Sequence, residues 1–302
     1  DIYISSFLSL VKEPPIESSM REALFARKLD LLYERHSSVL IQMAKGAYEL
    51  RQKVRVDTNS YPQNVMEFEH MNECHAFLDR FYMSRIGIRV LAGQYLALRS
   101  PTIEGYVGLI YQNTSPYHVV KTAVADASYM CEKLYGSFPD VVIKGRIDLC
   151  FTYIPTQLHY ILLELLKNAM RATIEHHGAS KPHQWPIIEV IIADGQENED
   201  VVIKIADEGG GISRSNMKKI WSYLFTTADP SIQDRLVGGI GEDNVDHSVE
   251  APLAGLGYGL PISKSYARYF GGDISLESIQ GYGTDAFVHL RRLGDSKEPL
   301  PF

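Results

Sequence analysis

The sequence predicts an α+β protein in two parts: an N-terminal, four-helix-bundle-like half followed by an α/β sandwich. Apolar residues recur every three to four positions through about residue 135. After "YGSFPD" at 135–140 the pattern changes to short β-branched runs, with amphipathic helical stretches between them. The chain has 302 residues, 45% hydrophobic and 22% charged, which is enough apolar material for two cores.

In the first half, residues 21–56 set Leu24, Leu31, Leu32, Val39 and Met43 on one helical stripe, predicting a single long amphipathic helix. Residues 63–99 repeat the pattern with Met71, Phe77, Leu78, Tyr82 and Ile86. A third helix is expected at 116–135, because Ser115 is a good N-cap and Pro116 suits the first helical position. In the second half, "VVIK" at 141, "IIEVIIA" at 187, "VVIKIA" at 201, "ISLES" at 274 and "DAFVHL" at 285 read as strands. Helical patterns at 156–176, 215–224 and 261–270 lie between them, and "DGQENED" at 194–200 reads as a polar hairpin loop. Residues 229–254 are aperiodic and rich in Gly and Asp, which predicts a mobile functional lid.

Composition excludes several classes. A formal charge of −7 with no compact Lys/Arg patch argues against general nucleic-acid binding. The three cysteines, Cys74, Cys131 and Cys150, fit neither a disulfide framework nor a CxxC metal site, so a reducing compartment is expected. No apolar run approaches the length of a membrane span. Asp1 opens the chain without an initiator Met or a leader, so any targeting peptide is expected to have been removed or left out.

"ELLKNAMRAT" at 164–173 is the most informative stretch. On a helix starting near Thr156, Glu164, Asn168, Arg171 and Glu175 share one face, while Leu162, Leu165, Leu166, Ala169 and Thr173 form the opposite one. Taken alone, the polar stripe also fits an ordinary solvated helix face. Two glycine-rich stretches shift the balance toward a site. In "IADEGGGI" at 205–212 a buried strand runs into Asp207 and three glycines, whose backbone freedom lets that carboxylate sit on a sharp turn and accept a bond from a purine amine. In "GLGYGLP" at 255–261, alternating glycines precede Pro261 at a helix start, so N–H groups converge where a phosphate would bind. Thr284, in "GYGTDAFVHL", enters a strand from a turn and can reach the same purine pocket. Neither GxxxxGK[ST] nor HRDxxxxN with DFG occurs, which disfavours the P-loop and eukaryotic protein-kinase families.

The order "ELLKNAMRA", "DEGGGI", "GLGYGLP", "GTD" resembles the GHKL ATPase superfamily, which includes histidine kinases, type II topoisomerases and Hsp90-like chaperones, and whose ATP-binding fold is the Bergerat α/β sandwich. "YERHSSVLIQMAKGAYEL" at 33–50, "FLDRFYMSRIGIRVLAGQYLAL" at 77–98 and "GYGLPISKSYARYFGGD" at 257–273 extend the likeness to the mitochondrial α-keto acid dehydrogenase kinases, most of all their pyruvate dehydrogenase branch. The resemblance implies a helical domain at 1–136, a GHKL kinase domain at 137–295 and a tail at 296–302; relatives are longer at the N-terminus, so this chain is expected to be incomplete there. It further implies Glu164 as general base, Asn168 as a Mg²⁺ ligand, Lys167 and Arg171 as nucleotide contacts, and Asp207 with Thr284 as adenine contacts. Thr226 and Thr227 match a family pair near the nucleotide, and Gly255, Leu256, Gly257, Tyr258, Gly259 and Leu260 would close on the phosphates.

The implied reaction is ATP- and Mg²⁺-dependent phosphorylation of a serine on the decarboxylase component of the pyruvate dehydrogenase complex, in the mitochondrial matrix. A homodimer and a docked lipoyl domain of the acyltransferase come with it. The sequence departs from the pyruvate branch at one place. A His four residues before the base is common there, whereas here that position is Tyr160, as in the branched-chain kinase, and His159 lies a residue earlier. Three alternatives therefore stay open: a branched-chain α-keto acid dehydrogenase kinase, a histidine autokinase using His36, and a non-catalytic ATP-driven clamp. Arg85 and His36 also fit purely structural roles in the helical half.

Overall fold

The structure, a computed structural model, describes residues 2–60, 68, 71–180, 182–195, 200–227 and 256–292. Four helices open the chain: α1 (Ile2–Val11), α2 (Ser19–Arg35), α3 (Val39–Ser60) and α4 (Asn72–Arg99). The single helix expected at 21–56 is therefore two, and α1 escaped the sequence reading. The break follows from competition for backbone groups. Ser37 and Ser38 are poor helix-interior residues, the Ser37 N–H turns back to the Glu34 carbonyl at 2.9 Å, and Arg85 from α4 donates to the carbonyls of His36 and Ser37 at 3.1 and 3.3 Å. The guanidinium thus caps the negative end of α2, a structural role for a side chain only 7% exposed. Farther along, Arg99 and the Tyr95 hydroxyl both donate to Glu22, tying α4 to α2. The second expected helix, 63–99, begins at Asn72 among the described residues.

A small antiparallel sheet links the halves. Its strands are β1 (Tyr106–Val107), β2 (Ile110–Thr114) and β4 (Phe151–Tyr153), in the order β1-β2-β4. Between β2 and β4 come α5 (Pro116–Tyr135) and β3 (Val141–Gly145). Ser115 does cap α5, accepting the His118 N–H, and Gly136 ends the helix with φ 77°, where a left-handed residue releases the chain.

The rest of the chain is α6 (Pro155–His177), β5 (Ile188–Asp194), β6 (Asp200–Asp207), a one-turn α7 (Arg214–Met217), α8 (Gly259–Tyr269), β7 (Asp273–Ile279) and β8 (Gly283–Arg291). Five strands form a mixed sheet in the order β3-β5-β6-β8-β7, in which only the β3–β5 pair is parallel. Alternation along each strand sends Val190, Ile192, Val201, Ile203, Ile205, Ile274 and Val288 to one face, where α5, α6 and α8 cover them in a continuous aliphatic core. This helical layer on one face of a mixed sheet is the α+β arrangement expected. β5 and β6 pair through Asp194 and Val201 as a hairpin, though residues 196–199 of its loop lie outside the described residues, as does the expected lid at 229–254.

The expected helix at 215–224 is a correction. Helical geometry stops after four residues, because Lys219 and Ser222 donate three residues back, to Asn216 and Lys219, in successive turns. Leu224 then takes φ 65°, which no helix accepts.

A second core lies between the halves. It joins Ala44, Ala47 and Tyr48 of α3 and Leu78 and Tyr82 of α4 to Tyr160, Tyr223, Leu224, Leu256, Tyr258 and Ile262. Five of these residues are tyrosines, and the rings of Tyr82, Tyr223 and Tyr258 meet edge-on or tilted at centroid separations of 5.3 to 5.9 Å.

Candidate active site

The site is built on α6. Pro155 occupies its first turn, and Leu158, Ile161, Leu162, Leu165 and Leu166 anchor it in the aliphatic core. That orientation obliges the opposite stripe, Glu164, Asn168 and Arg171, to line a cavity of about 470 Å³ between α6, the ends of the sheet strands and the start of α8. Asp207, Thr226, Thr227, Gly257, Gly259, Leu260 and Thr284 line the same cavity. Residues separated by 120 positions in sequence thus converge on one space large enough for a nucleotide.

At one end Asp207 and Thr284 face each other as cross-strand partners of β6 and β8. The Gly209 N–H donates to the Asp207 carboxylate at 2.8 Å. Burial nevertheless dominates and pushes the Asp207 carboxyl up to about 6, with the bond from Gly209 pulling the other way. The glycines beside it are there for space: a side chain at Gly209 would strike the backbone of α6 at Ala172 and Thr173, and Gly211, at φ 67°, sits against the Ile279 carbonyl. Thr284 is oriented by a hydroxyl pair with Ser278 at 3.0 Å, and Ser278 also accepts the Ile212 N–H at 2.7 Å.

At the other end Glu164, only 5% exposed, takes a bond from the Lys167 ammonium at 2.5 Å. Gly259 opens α8 so close by that any side chain there would collide with the Glu164 carboxylate. The first N–H groups of α8 have no carbonyl partners within the helix, so they and the helix dipole favour an anion at this point. Arg171 reaches the Thr227 hydroxyl at 3.3 Å, and Leu224 donates its N–H to the Gly257 carbonyl at 3.1 Å, which brings the segment after α7 against the glycine segment.

Three expected nucleotide contacts are placed differently. Among the described residues, Lys167 does not line the cavity; its ammonium serves Glu164 instead. Leu256 and Tyr258 point into the tyrosine core, because alternate residues of the glycine segment face opposite sides. Gly255 lies outside the described residues. His159 turns toward α5 and pairs with Asp126 at 2.9 Å, while Tyr160 packs on Tyr266 with ring centroids 5.1 Å apart. Sequence reasoning missed His176 and Asn216 as lining residues. For His176 a signal existed, since the four-residue spacing from Asn168 through Ala172 leads to it.

Among the described residues no group of three His, Cys, Asp or Glu side chains is arranged to hold a metal. The donors present fit Mg²⁺ in a different manner: Asn168 lines the cavity and carries a side-chain amide oxygen. One neutral oxygen beside an anion site suits a cation that keeps waters and takes its other ligands from phosphates.

Comparison with known proteins agrees with this geometry. The family profile of the histidine kinase-, DNA gyrase B- and HSP90-like ATPases matches residues 153–293. That of the mitochondrial branched-chain alpha-ketoacid dehydrogenase kinases matches residues 1–111. Over all 302 residues the chain is 42% identical to a mitochondrial pyruvate dehydrogenase (acetyl-transferring) kinase of Arabidopsis thaliana, spanning 77% of that protein. It is 44% identical to the Schizosaccharomyces pombe kinase of the same name over 91% of this chain and 61% of the relative. With the Homo sapiens isozyme 4 it shares 37% identity over 99% of this chain and 69% of the relative.

Proposed function

The chain belongs to the family of mitochondrial pyruvate dehydrogenase (acetyl-transferring) kinases, and on that premise we propose that it transfers the γ-phosphoryl group of ATP to a serine of the pyruvate dehydrogenase decarboxylase component and so inactivates it. The observation that carries this reading is the convergence of Glu164, Asn168 and Arg171 with the Asp207–Thr284 pair on one cavity. The ionised Asp207 accepts the exocyclic amine of adenine, and Thr284 completes the adenine contact. The triphosphate runs toward the N-terminus of α8, where Gly257, Gly259 and Leu260 bring their backbone against it and Thr226, Thr227 and Arg171 flank it.

Glu164 takes the proton from the serine hydroxyl as that oxygen forms its bond to the γ-phosphorus; the bond to the bridging oxygen breaks and ADP leaves with the electron pair. Lys167 fixes the orientation of the carboxylate. When bound, Mg²⁺ neutralises charge on the phosphates, and Asn168 supplies its protein oxygen. We assign residues 1–136 to a helical domain, 137–295 to the kinase domain and 296–302 to a tail. Dimerisation, docking on a lipoyl domain and residence in the mitochondrial matrix are part of the same proposal.

The alternatives have less support. The branched-chain profile matches only the helical side, whereas relatives named for pyruvate dehydrogenase match across both halves. His36 makes a poor phospho-acceptor, because its ring bonds the Ser6 hydroxyl at 2.8 Å and lies edge-on to Tyr3. A purely ATP-driven clamp has no need of a buried carboxylate and lysine pair beside the anion site.

Radiolabelled ATP offered with the pyruvate and the branched-chain decarboxylase components side by side tests the proposal. The expected result is label on the pyruvate component, with Glu164→Gln slowing transfer by roughly 100- to 10,000-fold. Labelling of the branched-chain component alone overturns the substrate assignment, and an undiminished rate in Glu164→Gln removes that residue as the base.

A further inference from the structure

Leu224 is the one non-glycine residue at positive φ among the described residues, and it lies between the tyrosine core and the cavity wall. A leucine in this conformation crowds its own Cβ against the backbone, so surrounding contacts must hold it there. The reversal it creates carries Phe225, Thr226 and Thr227 onto the cavity wall. It also presents the Leu224 N–H to the Gly257 carbonyl, with Gly257 at φ 79° so tightly apposed that a side chain there would strike the carbonyls of Leu224 and Phe225. The two segments that form the anion end of the cavity are therefore registered on one strained residue.

What holds that residue comes from the helical half. Arg51 of α3 donates to the Leu224 carbonyl at 3.0 Å, with a side chain only 5% exposed and a guanidinium 4.9 Å from the Tyr48 ring centroid. Gln52 fixes Tyr48 in turn, through its hydroxyl, at 2.7 Å. The neighbouring residue is pinned as well: the Tyr223 hydroxyl donates to Asp79 of α4 at 2.7 Å. A buried guanidinium is costly unless it is hydrogen-bonded, and the Leu224 carbonyl is one of the acceptors that offset that cost here. Among the described residues no comparable anchor from the helical half reaches the Asp207–Thr284 end, which is braced within the sheet and its turns.

We propose that Arg51 is a positioning residue for phosphoryl transfer: by holding Leu224 it sets Thr226, Thr227 and Gly257 at the phosphate end of the nucleotide site and couples that end to the helical half. This rests on the nucleotide-site reading above. The test is binding of ATP and of adenosine, each measured by titration calorimetry on the whole chain, for the parent, Arg51→Met and Arg51→Lys. The parent is expected to favour ATP over adenosine. Arg51→Met should lose tenfold or more in ATP affinity while adenosine stays within twofold, and Arg51→Lys, which keeps a donor for the carbonyl, should recover most of the loss.

Equal losses for both ligands overturn the proposal, since they would mean that Arg51 merely holds the fold. An unchanged ratio in a folded Arg51→Met variant overturns it too. If Arg51→Met does not unfold cooperatively, Tyr223→Phe, which removes the second anchor, must show the same selective loss; an unchanged ratio there is equally fatal. A parent that binds adenosine as tightly as ATP withdraws the nucleotide-site reading itself, and the inference with it.

Discussion

Beneath the mixed sheet the core is aliphatic, drawn from Leu158, Ile161, Leu162, Val190, Ile203 and their neighbours, whereas the core between the halves includes five tyrosines, Tyr48, Tyr82, Tyr160, Tyr223 and Tyr258, whose rings meet particular partners. The first kind of packing is non-directional, so it secures the sheet and α6 through buried area alone. The second is directional. The Tyr223–Asp79 bond, the Arg51–Leu224 bond and the edge-on rings of Tyr82 and Tyr258 each fix an angle as well as a distance. The cavity stands on both cores. The Asp207 end and Glu164 on α6 inherit their rigidity from the aliphatic core, whereas the Thr226–Gly257 side of the opposite end takes its shape from the tyrosine core and hence from the helical half.

The largest effect that would sharpen this contrast is on stability. Leu166→Ala, a fully buried leucine of the aliphatic core, should cost about 2–5 kcal/mol, read as a shift of the denaturant midpoint. A loss under about 1 kcal/mol would break the claim that this core carries the fold. Next comes a variant expected to spare the fold and disable the chemistry. Gly259→Ala drives a methyl group into the Glu164 carboxylate and should slow phosphoryl transfer on the order of 100-fold, seen in kcat, with the unfolding midpoint nearly unchanged.

Asp207→Asn probes the opposite end. Because burial raises the Asp207 carboxyl to about 6, the folded ligand-free protein keeps that proton where the unfolded chain has already released it. The carboxylate therefore costs nothing at pH values below its unfolded range, and its destabilising effect grows between about pH 4 and pH 6 and is complete above that. Removing the charge should stabilise the ligand-free protein at pH 7 by about 1–3 kcal/mol while weakening ATP binding. In the parent, ATP affinity should fall as the pH drops through about 6, since the carboxylate accepts the adenine amine more strongly than the neutral acid does, and Asp207→Asn should flatten that dependence. The smallest effect belongs to His159→Ala. With its imidazole turned to Asp126, the expectation is a transfer rate and pH profile within twofold of the parent; a shifted profile would place His159 in the tuning of Glu164 after all.

Much of the site was legible because it depends on local period. The four-residue spacing of Glu164 and Asn168 decides that they share a helix face whatever that face meets, and the glycine runs announce where backbone must come close. The strands at 188–194, 200–207, 273–279 and 283–291 were legible from their β-branched alternation. The helix break at His36–Ser38 was not, since its deciding element is Arg85, 48 residues downstream of Ser37 and joined to it only by folding. The truncation of α7 and the placement of Tyr258 are of the same kind.

By itself, then, the sequence determined the two halves, the strands of the five-stranded sheet though not those of the small β1-β2-β4 sheet, the face of α6 that carries Glu164, Asn168 and Arg171, and the glycine turns, because each follows from side-chain periodicity and backbone freedom within a few residues. Only the tertiary structure decided that Asp207 is held as a half-buried, weakly acidic carboxyl, and that Arg51 reaches across from α3 to Leu224. Those outcomes rest on burial and on contacts between segments as many as 173 residues apart, and neither quantity exists until the chain has closed on itself.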